Sequence, residues 1–480
     1  MTTSSRPIII PIALAILLAG ALIFGLWLTP EFKSNANTHE HPAIPFAISL
    51  ILAGLAWVGI VLFLRRTQQV GGIILASCLL LGLGLRLMFF DSTPVYENDF
   101  KRYLWDGSVT ASGENPYRFS PDEIFKAGEP GASSIPDLAT LAIRSNEADS
   151  LAAQINSPTL TTIYPPAAQG VFAAAYFIAP YKSWGLKLVF LLIEIAGGLA
   201  LLAGLRARGL PLIWSAAYWL NPIIIFTTYN GVHMDVLLVA PILAAILWVG
   251  RHPFRAAVLL ALAGSIKIWP LLLAPVLFRG WRHRPAIYIG VATLVATLTL
   301  ASLAPMLLPL SAEHLASGDL SSNPSSGLAA YSTNWTNSSF IYPGIRDALG
   351  LLFENSDRLA RYAIAIILTG LSLWLGFIKP QDKSKIPLHL LTLSAAFVLL
   401  SPTGYPWYFI WFLMFLPFVI DHWSARGLAL LTVGAAAYFV RFQLGEAGHY
   451  YIYEKVLLPL EFGIPLLVLA WDGLKAKRHA

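Results

Sequence analysis

Charge is scarce in this chain of 480 residues. Asp, Glu, Lys and Arg together supply 12%, against about 25% in an ordinary soluble domain. Cysteine is nearly absent. Cys78 is the single example, so neither an intrachain disulfide nor a thiolate metal cluster can form. The sequence has no Gly-rich nucleotide-binding loop, no His-Glu-x-x-His and no serine-hydrolase elbow. Period-2 alternation is missing from the apolar runs, which excludes a β-barrel. A soluble globular enzyme, a disordered chain and a fibrous one are all excluded.

Apolar residues are what the chain has in quantity. They make up 56% of it, and mean hydropathy is +0.65. They gather in runs of roughly 16–22 residues rich in Leu, Ala, Ile and Val, long enough for helices to cross a bilayer. The expectation is an all-α polytopic membrane protein of about 14 transmembrane helices with a large extracytoplasmic first loop. The net charge of +6 is no nucleic-acid signal. The basic residues stand mainly at the ends of apolar runs, as the positive-inside rule requires.

That rule orients the chain. A first span, Ile8 to Leu28, leaves the cytoplasm, and a second, Ala43 to Leu64, returns to Arg65-Arg66. A third, Val70 to Phe90, goes out again. Arg206 with Arg208, Arg251 with Arg255, Arg279 to Arg284, Lys379 to Lys385 and the tail Lys475 to Arg478 mark cytoplasmic turns. The expected organisation is three helices (1–90), an outer loop with an acidic motif (91–163), and a membrane core with a hairpin at Lys267 (164–310). A second outer loop (311–357) and C-terminal helices with a basic tail (358–480) follow. Ala167 to Ala179 is short for a span and reads as re-entrant. Lys267, followed by Trp269-Pro270, suggests two half-length helices meeting near the outer face.

The densest polar cluster begins outside the third span, at Tyr96-Glu97-Asn98-Asp99, and runs on through Asp106 to Asn115-Pro116-Tyr117. Carboxylates two apart can converge on one hydroxyl or one cation. An Asp where a helix begins is equally a capping residue, and Asn-Pro is equally a turn. Tyr164-Pro165-Pro166 closes the same loop. Asn221-Pro222 leads to a turn, Gly231-Val232-His233-Met234-Asp235, which reads either as a polar site or as a solvated turn. Charges inside spans are costly and usually functional. Lys267 is either a cation for a phosphate at bilayer depth or a snorkelling lysine, and Arg86 has the same two readings. For Glu194 and Glu461, interhelical hydrogen bonding is the default, and for His389 a helix contact. Two outer segments are aromatic and polar. One contains Trp335 and Asn337, the other Tyr405, Trp407 and Tyr408. Such rings suit sugar stacking, or an interfacial belt.

The order of these pieces resembles a family. Acidic motif, Asn-Pro-Tyr, Tyr-Pro-Pro, Asn-Pro with Gly-x-His-x-Asp, Lys-x-x-Pro, Trp-x-Asn-Ser-Ser and Pro-Trp-Tyr run from about Arg86 to Tyr408. This is similar to the GT-C integral-membrane glycosyltransferases, in particular bacterial polyprenol-phosphate-mannose-dependent mannosyltransferase-like proteins. The resemblance implies an inverting transfer from a polyprenyl-phosphate sugar to a glycan or glycolipid, on the extracytoplasmic face of the inner (plasma) membrane. It implies Asp99 as general base with Glu97 beside it. Lys267, with Arg86 and His233, would hold the donor phosphate. Tyr164, Asp235, Trp335, Asn337, Tyr405, Trp407 and Tyr408 would contact substrate. Tyr405 stands where many relatives carry a histidine, and two extra spans precede the first large loop. No cofactor is required, and a divalent ion between Glu97 and the phosphate is compatible with the chemistry. A secondary transporter or lipid-linked sugar flippase is the alternative, since broken helices and buried charges fit it too. A non-catalytic assembly protein is the third reading.

Overall fold

The computed structural model describes residues 9–33, 40–67, 70–127, 146–307, 327–378, 383–445 and 448–478. Parts of the expected first outer loop (128–145) and second outer loop (308–326), and residues 379–382 of the basic turn Lys379 to Lys385, lie outside the described residues. Among the described residues every regular element is helical, and extended pairing is confined to one bridge between Asn337 and Thr403.

The chain opens with α1 (Ile9–Leu28), α2 (Ala43–Leu64) and α3 (Gly72–Leu87). The bounds of α1 and α2 follow the apolar runs closely. Ile9, Ile16, Trp27, Ile73 and Leu80 point outward from these helices. Such side chains are stable only against hydrocarbon, where a helix keeps every backbone bond internal. The outer loop then carries α4 (Asp99–Ala111). After it come α5 (Pro166–Ile178), α6 (Ser183–Ala207), α7 (Pro222–Tyr229), α8 (Val239–Trp248), α9 (Pro253–Ile266) and α10 (Pro285–Leu307). The chain ends with α11 (Ser356–Leu373), α12 (Ile386–Leu400), α13 (Ser424–Gly434) and α14 (Leu458–Arg478).

Among the described residues seven helical segments are long and apolar enough to cross a bilayer, or eight if the bent pair Pro222–Tyr229 and Met234–Trp248 makes one span. The expectation of about 14 counted several shorter apolar pieces, α3, α9 and α12 among them, as spans or half-spans. At about 1.5 Å per residue a helix of 13 residues reaches about 20 Å, short of the ~30 Å hydrocarbon core. α5 has that length, in keeping with a re-entrant piece.

Three features place the site. Asn221 caps α7 with its side chain, accepting from the Ile224 N–H at 3.0 Å, and Pro222 takes the first helical position, where its missing N–H costs nothing. The chain from Ile213 to Val239 is buried throughout, so the polar turn after α7 lies inside the protein. The bend between α7 and Met234–Trp248 is 112°. The second feature is α4, which lies against α5. A Cβ at Gly107 would stand 2.6 Å from the Phe172 carbonyl oxygen, so the glycine lets the helix bearing Asp99 seat on α5. The third is the end of α9, where Lys267 is extended (φ −147°, ψ 144°) before a 3-10 turn over Trp269–Leu273.

Arg86 sits apart from these. It is fully buried, with a two-point pair to Glu194 at 2.7 and 2.6 Å. Its remaining bonds go to the Gly82 and Trp219 carbonyls, and it lies 3.8 Å from the Trp219 ring centre. Tyr218 and Tyr229 donate to the same Glu194 carboxylate. Arg86 therefore has no guanidinium edge for a phosphate, and the expected donor-binding role is corrected to a structural one. Removing one member of a buried pair strands the other, typically costing about 3–5 kcal/mol. Arg86→Met should show this as a lowered thermal midpoint in detergent, and Arg86→Met with Glu194→Gln should recover most of it. Glu461 differs from expectation as well. It is buried, and neither carboxyl oxygen is hydrogen-bonded among the described residues. His389 does make a helix contact, Nδ1 to Arg279 Nη1 at 2.5 Å.

Candidate active site

Asp99 is the first residue of α4, and Asn98 occupies the cap position without a side-chain cap bond. Asp99 is thus not the capping residue. Asn98 instead bonds Asn156. No hydrogen bond or ion pair reaches the Asp99 carboxylate among the described residues. Around it, within electrostatic reach, stand His233, Glu97, Lys267 and Asp235. Burial raises its pKa above the usual carboxylate range, Glu97 and Asp235 add to the rise, and His233 and Lys267 oppose it. Tyr103 and Tyr164 flank it from the loop side, ring centres 4.8 Å apart.

The neighbouring carboxylates are all occupied. Glu97 accepts from the Tyr438 hydroxyl at 3.0 Å, and its other oxygen lies 3.4 Å from His233 Nε2. Asp235 Oδ1 takes Lys267 Nζ at 2.6 Å and Trp411 Nε1 at 2.7 Å. Asp106, the other acid of the cluster, is bonded through Oδ1 to Arg102 at 2.8 Å and through Oδ2 to Gln169 at 3.1 Å. That leaves Asp99 as the uncommitted acid of the group.

Strain and anchoring hold this arrangement. Tyr96, Val232 and Ser338 have φ of 59°, 57° and 51°. A β-branched residue there is an outlier, and each such residue costs about 1–3 kcal/mol that the surroundings must over-determine. The three immediately precede Glu97, precede His233 and follow Asn337. Asn230 pins the acidic loop to the buried turn, donating to Ser92 Oγ at 2.9 Å and the Thr93 carbonyl at 2.7 Å, and accepting from the Val95 N–H at 2.9 Å. The Asn-Pro-Tyr piece is a turn. Asn115 accepts from its own Tyr117 N–H, and the Tyr117 hydroxyl staples the loop to the Tyr164 carbonyl at 2.6 Å.

The aromatic residues pack in columns. Trp407 stacks on His233 at 3.6 Å and on Tyr405 at 4.4 Å, both at 9°. His233 and Tyr405 make no ring contact with each other, so they cover opposite faces of Trp407. Its faces are closed by protein rings. Tyr408 stacks on Trp411 at 4.1 Å, and Lys267 Nζ lies 4.6 and 5.0 Å from those two ring centres. The second outer segment is laced to this motif: the Asn337 N–H donates to the Pro402 carbonyl at 3.0 Å, and Tyr331 bonds Tyr408 hydroxyl to hydroxyl at 2.8 Å. Trp335 touches Tyr331 only at 6.0 Å between ring centres and is half-buried.

The structure thus gathers Asp99, Glu97, His233, Asp235, Lys267, Tyr164, Tyr405, Trp407 and Tyr408 at one place, sets Asn337 and Trp335 beside it, and removes Arg86. Sequence reasoning did not single out Asn230, Trp411, Tyr438 or Arg441. Among the described residues no three His, Cys, Asp or Glu side chains group so as to hold a metal by themselves.

A helical bundle of this kind, with apolar helices long enough to cross a bilayer and acidic and basic side chains gathered beside a broken helix, is an integral-membrane protein. Residues 162–402 match the family model described as glycosyltransferase family 87. The chain belongs to that family and is a membrane glycosyltransferase. No curated protein sequence matches it. The match contains Tyr164, His233, Asp235, Lys267, Trp335 and Asn337, whereas Glu97, Asp99, Tyr405, Tyr438 and Arg441 lie outside it.

Proposed function

We propose that the protein transfers a sugar, mannose or another hexose or pentose, from a polyprenyl-phosphate sugar to a glycan or glycolipid acceptor, with inversion. The unpartnered Asp99 carboxylate, in a ring of committed charges, carries this reading. A sugar hydroxyl is a weak nucleophile. Asp99 takes its proton as the acceptor oxygen bonds to the anomeric carbon. The bond from that carbon to the phosphate oxygen breaks, and its electron pair leaves with the polyprenyl phosphate. Lys267 faces the growing phosphate charge, in surroundings where the pairing is stronger than in water. His233 is the second cation when protonated. Glu97, 3.4 Å from His233 Nε2, pairs with that cation when the imidazole is protonated, and attack from the side opposite the leaving phosphate gives inversion. The test is transfer of labelled mannose from polyprenyl-phosphate mannose in membranes carrying the wild-type or an altered chain.

The proposed face is extracytoplasmic in the inner membrane, with both termini in the cytoplasm, which the basic short loops support. Ser150 is exposed in the outer loop. In a Cys78→Ser background, Ser150→Cys should react with an impermeant thiol reagent in whole cells. Labelling only after lysis would overturn the orientation and, with it, the supply of a lipid-linked donor.

A further inference from the structure

We propose that Arg441 is an anion-binding residue of this site, one that receives a phosphate. Five arginines face acids among the described residues: Arg86, Arg102, Arg346, Arg361 and Arg426 meet Glu194, Asp106, Asp347, Asp357 and Asp472 at 2.6, 2.8, 2.8, 2.9 and 2.5 Å. No carboxylate comes within ion-pair distance of Arg441 among the described residues. Its acceptors are neutral. Nη1 donates to Asn337 Oδ1 and to Ser338 Oγ, and Nη2 donates to the Tyr438 hydroxyl at 2.9 Å. Its Nε–H has no acceptor among the described residues.

The guanidinium is nevertheless held firmly. It lies 4.0 and 4.5 Å from the Tyr438 and Phe442 ring centres and 5.9 Å from that of Tyr453, whose hydroxyl fixes Ser338 at 2.8 Å. A charge stacked on rings, ordered by neutral acceptors and left without a counter-ion is pre-organised for an anion. The planar fork of arginine suits phosphate. Two acids stand near. Glu97 is one hydroxyl away, across Tyr438, with its other oxygen 3.4 Å from His233 Nε2. Glu461, on α14, is sealed in the interior without a hydrogen bond. Arg441 is joined to the acidic motif through Tyr438, whose hydroxyl accepts from Arg441 at 2.9 Å and donates to Glu97 at 3.0 Å. Lys267, in contrast, already has an acid, Asp235, at 2.6 Å. The choice of phosphate as the anion rests on the glycosyl-transfer reading. The site itself does not.

Farnesyl phosphate, inorganic phosphate and farnesol are the probes, with protein purified in neutral detergent. Arg441→Gln should weaken one or both phosphate probes by roughly 10–100-fold, the scale of a lost charge-assisted hydrogen bond, and leave farnesol unchanged. Arg441→Lys, which keeps charge but not the fork, should fall between. Loss of farnesyl phosphate binding assigns the residue to the donor phosphate. Loss of inorganic phosphate binding alone assigns it to a phosphate on the acceptor. Unchanged affinity for both in a folded Gln variant overturns the proposal. Phenylglyoxal modification of the wild-type chain, mapped by mass spectrometry, covers the case in which the Gln variant does not fold. Phosphate should protect Arg441, and an undiminished rate of modification refutes it. If wild-type protein prefers farnesyl phosphate no more than farnesol, the lipid-phosphate donor is wrong, while the protection result still decides Arg441.

Discussion

Asp99→Asn should lower turnover by about 10²–10⁴-fold, the usual contribution of a general base, with donor binding and thermal stability near those of the wild type. The side chain keeps its shape and can still hydrogen-bond the acceptor hydroxyl, but it cannot take the proton. Because Asn98 and not Asp99 occupies the cap position, the substitution removes no capping bond, so any loss reports chemistry and not a frayed α4. The carboxylate has no partner to strand, and this separates it from Glu97, Asp106 and Asp235. Near-normal sugar transfer by Asp99→Asn would end the assignment. Asp106 is a poor substitute in that event, since both its oxygens are already engaged, and Glu97, hydrogen-bonded through one oxygen to Tyr438, is the next candidate.

The same carboxyl sets an expected pH profile. Burial holds the Asp99 pKa above the ordinary range, and Glu97 adds to the rise while His233 opposes it. A base works only when deprotonated. Activity should therefore be full above the raised pKa and fall as pH drops through it, at a pH above the ordinary Asp range near 3.9. Glu97→Gln removes a raising charge, so the acidic limb should move to lower pH. His233→Gln should move it the other way. A limb that stays fixed in both variants would mean that another group titrates.

What the sequence discloses follows from the range of the interaction involved. Spans are legible because burial in hydrocarbon demands an uninterrupted apolar run, and α2 occupies the very residues expected, Ala43–Leu64. The break at Lys267 is legible because a charge and a proline interrupt such a run. Pairings across the fold are not. Arg86 and Glu194 are two intramembrane charges of opposite sign, a signal present in the sequence, but their meeting across 108 residues depends on which helix faces pack. Tyr438 and Glu97 meet across 341 residues, and Arg441 at the end of an apolar run looks like any snorkelling arginine. The turn at His233 and Asp235 has the residues of a solvated turn. It is buried because apolar segments on both sides draw it inward. Trp407 has the residue type of a sugar platform, and only packing shows that its faces are covered.

Lys267 gives the last contrast, because its pairing changes what its removal does. Lys267→Met alone would leave Asp235, whose side chain is 4% exposed, as a buried carboxylate with Trp411 as its one remaining donor. That situation typically costs about 3–5 kcal/mol, so the single variant is expected to be less stable and its lost donor affinity ambiguous. Lys267→Met combined with Asp235→Asn removes both charges and should restore most of the thermal midpoint. If the lysine binds the leaving phosphate, the double variant should still bind farnesyl phosphate about 10–100-fold more weakly, the scale of a charge-assisted bond. Asp235→Asn alone works in the opposite sense. It releases Lys267 from its 2.6 Å acid, so farnesyl phosphate should bind at least as tightly as to the wild type, while farnesol is unaffected. A double variant that binds farnesyl phosphate like the wild type would make the pair a purely structural clasp between the buried turn and the end of α9.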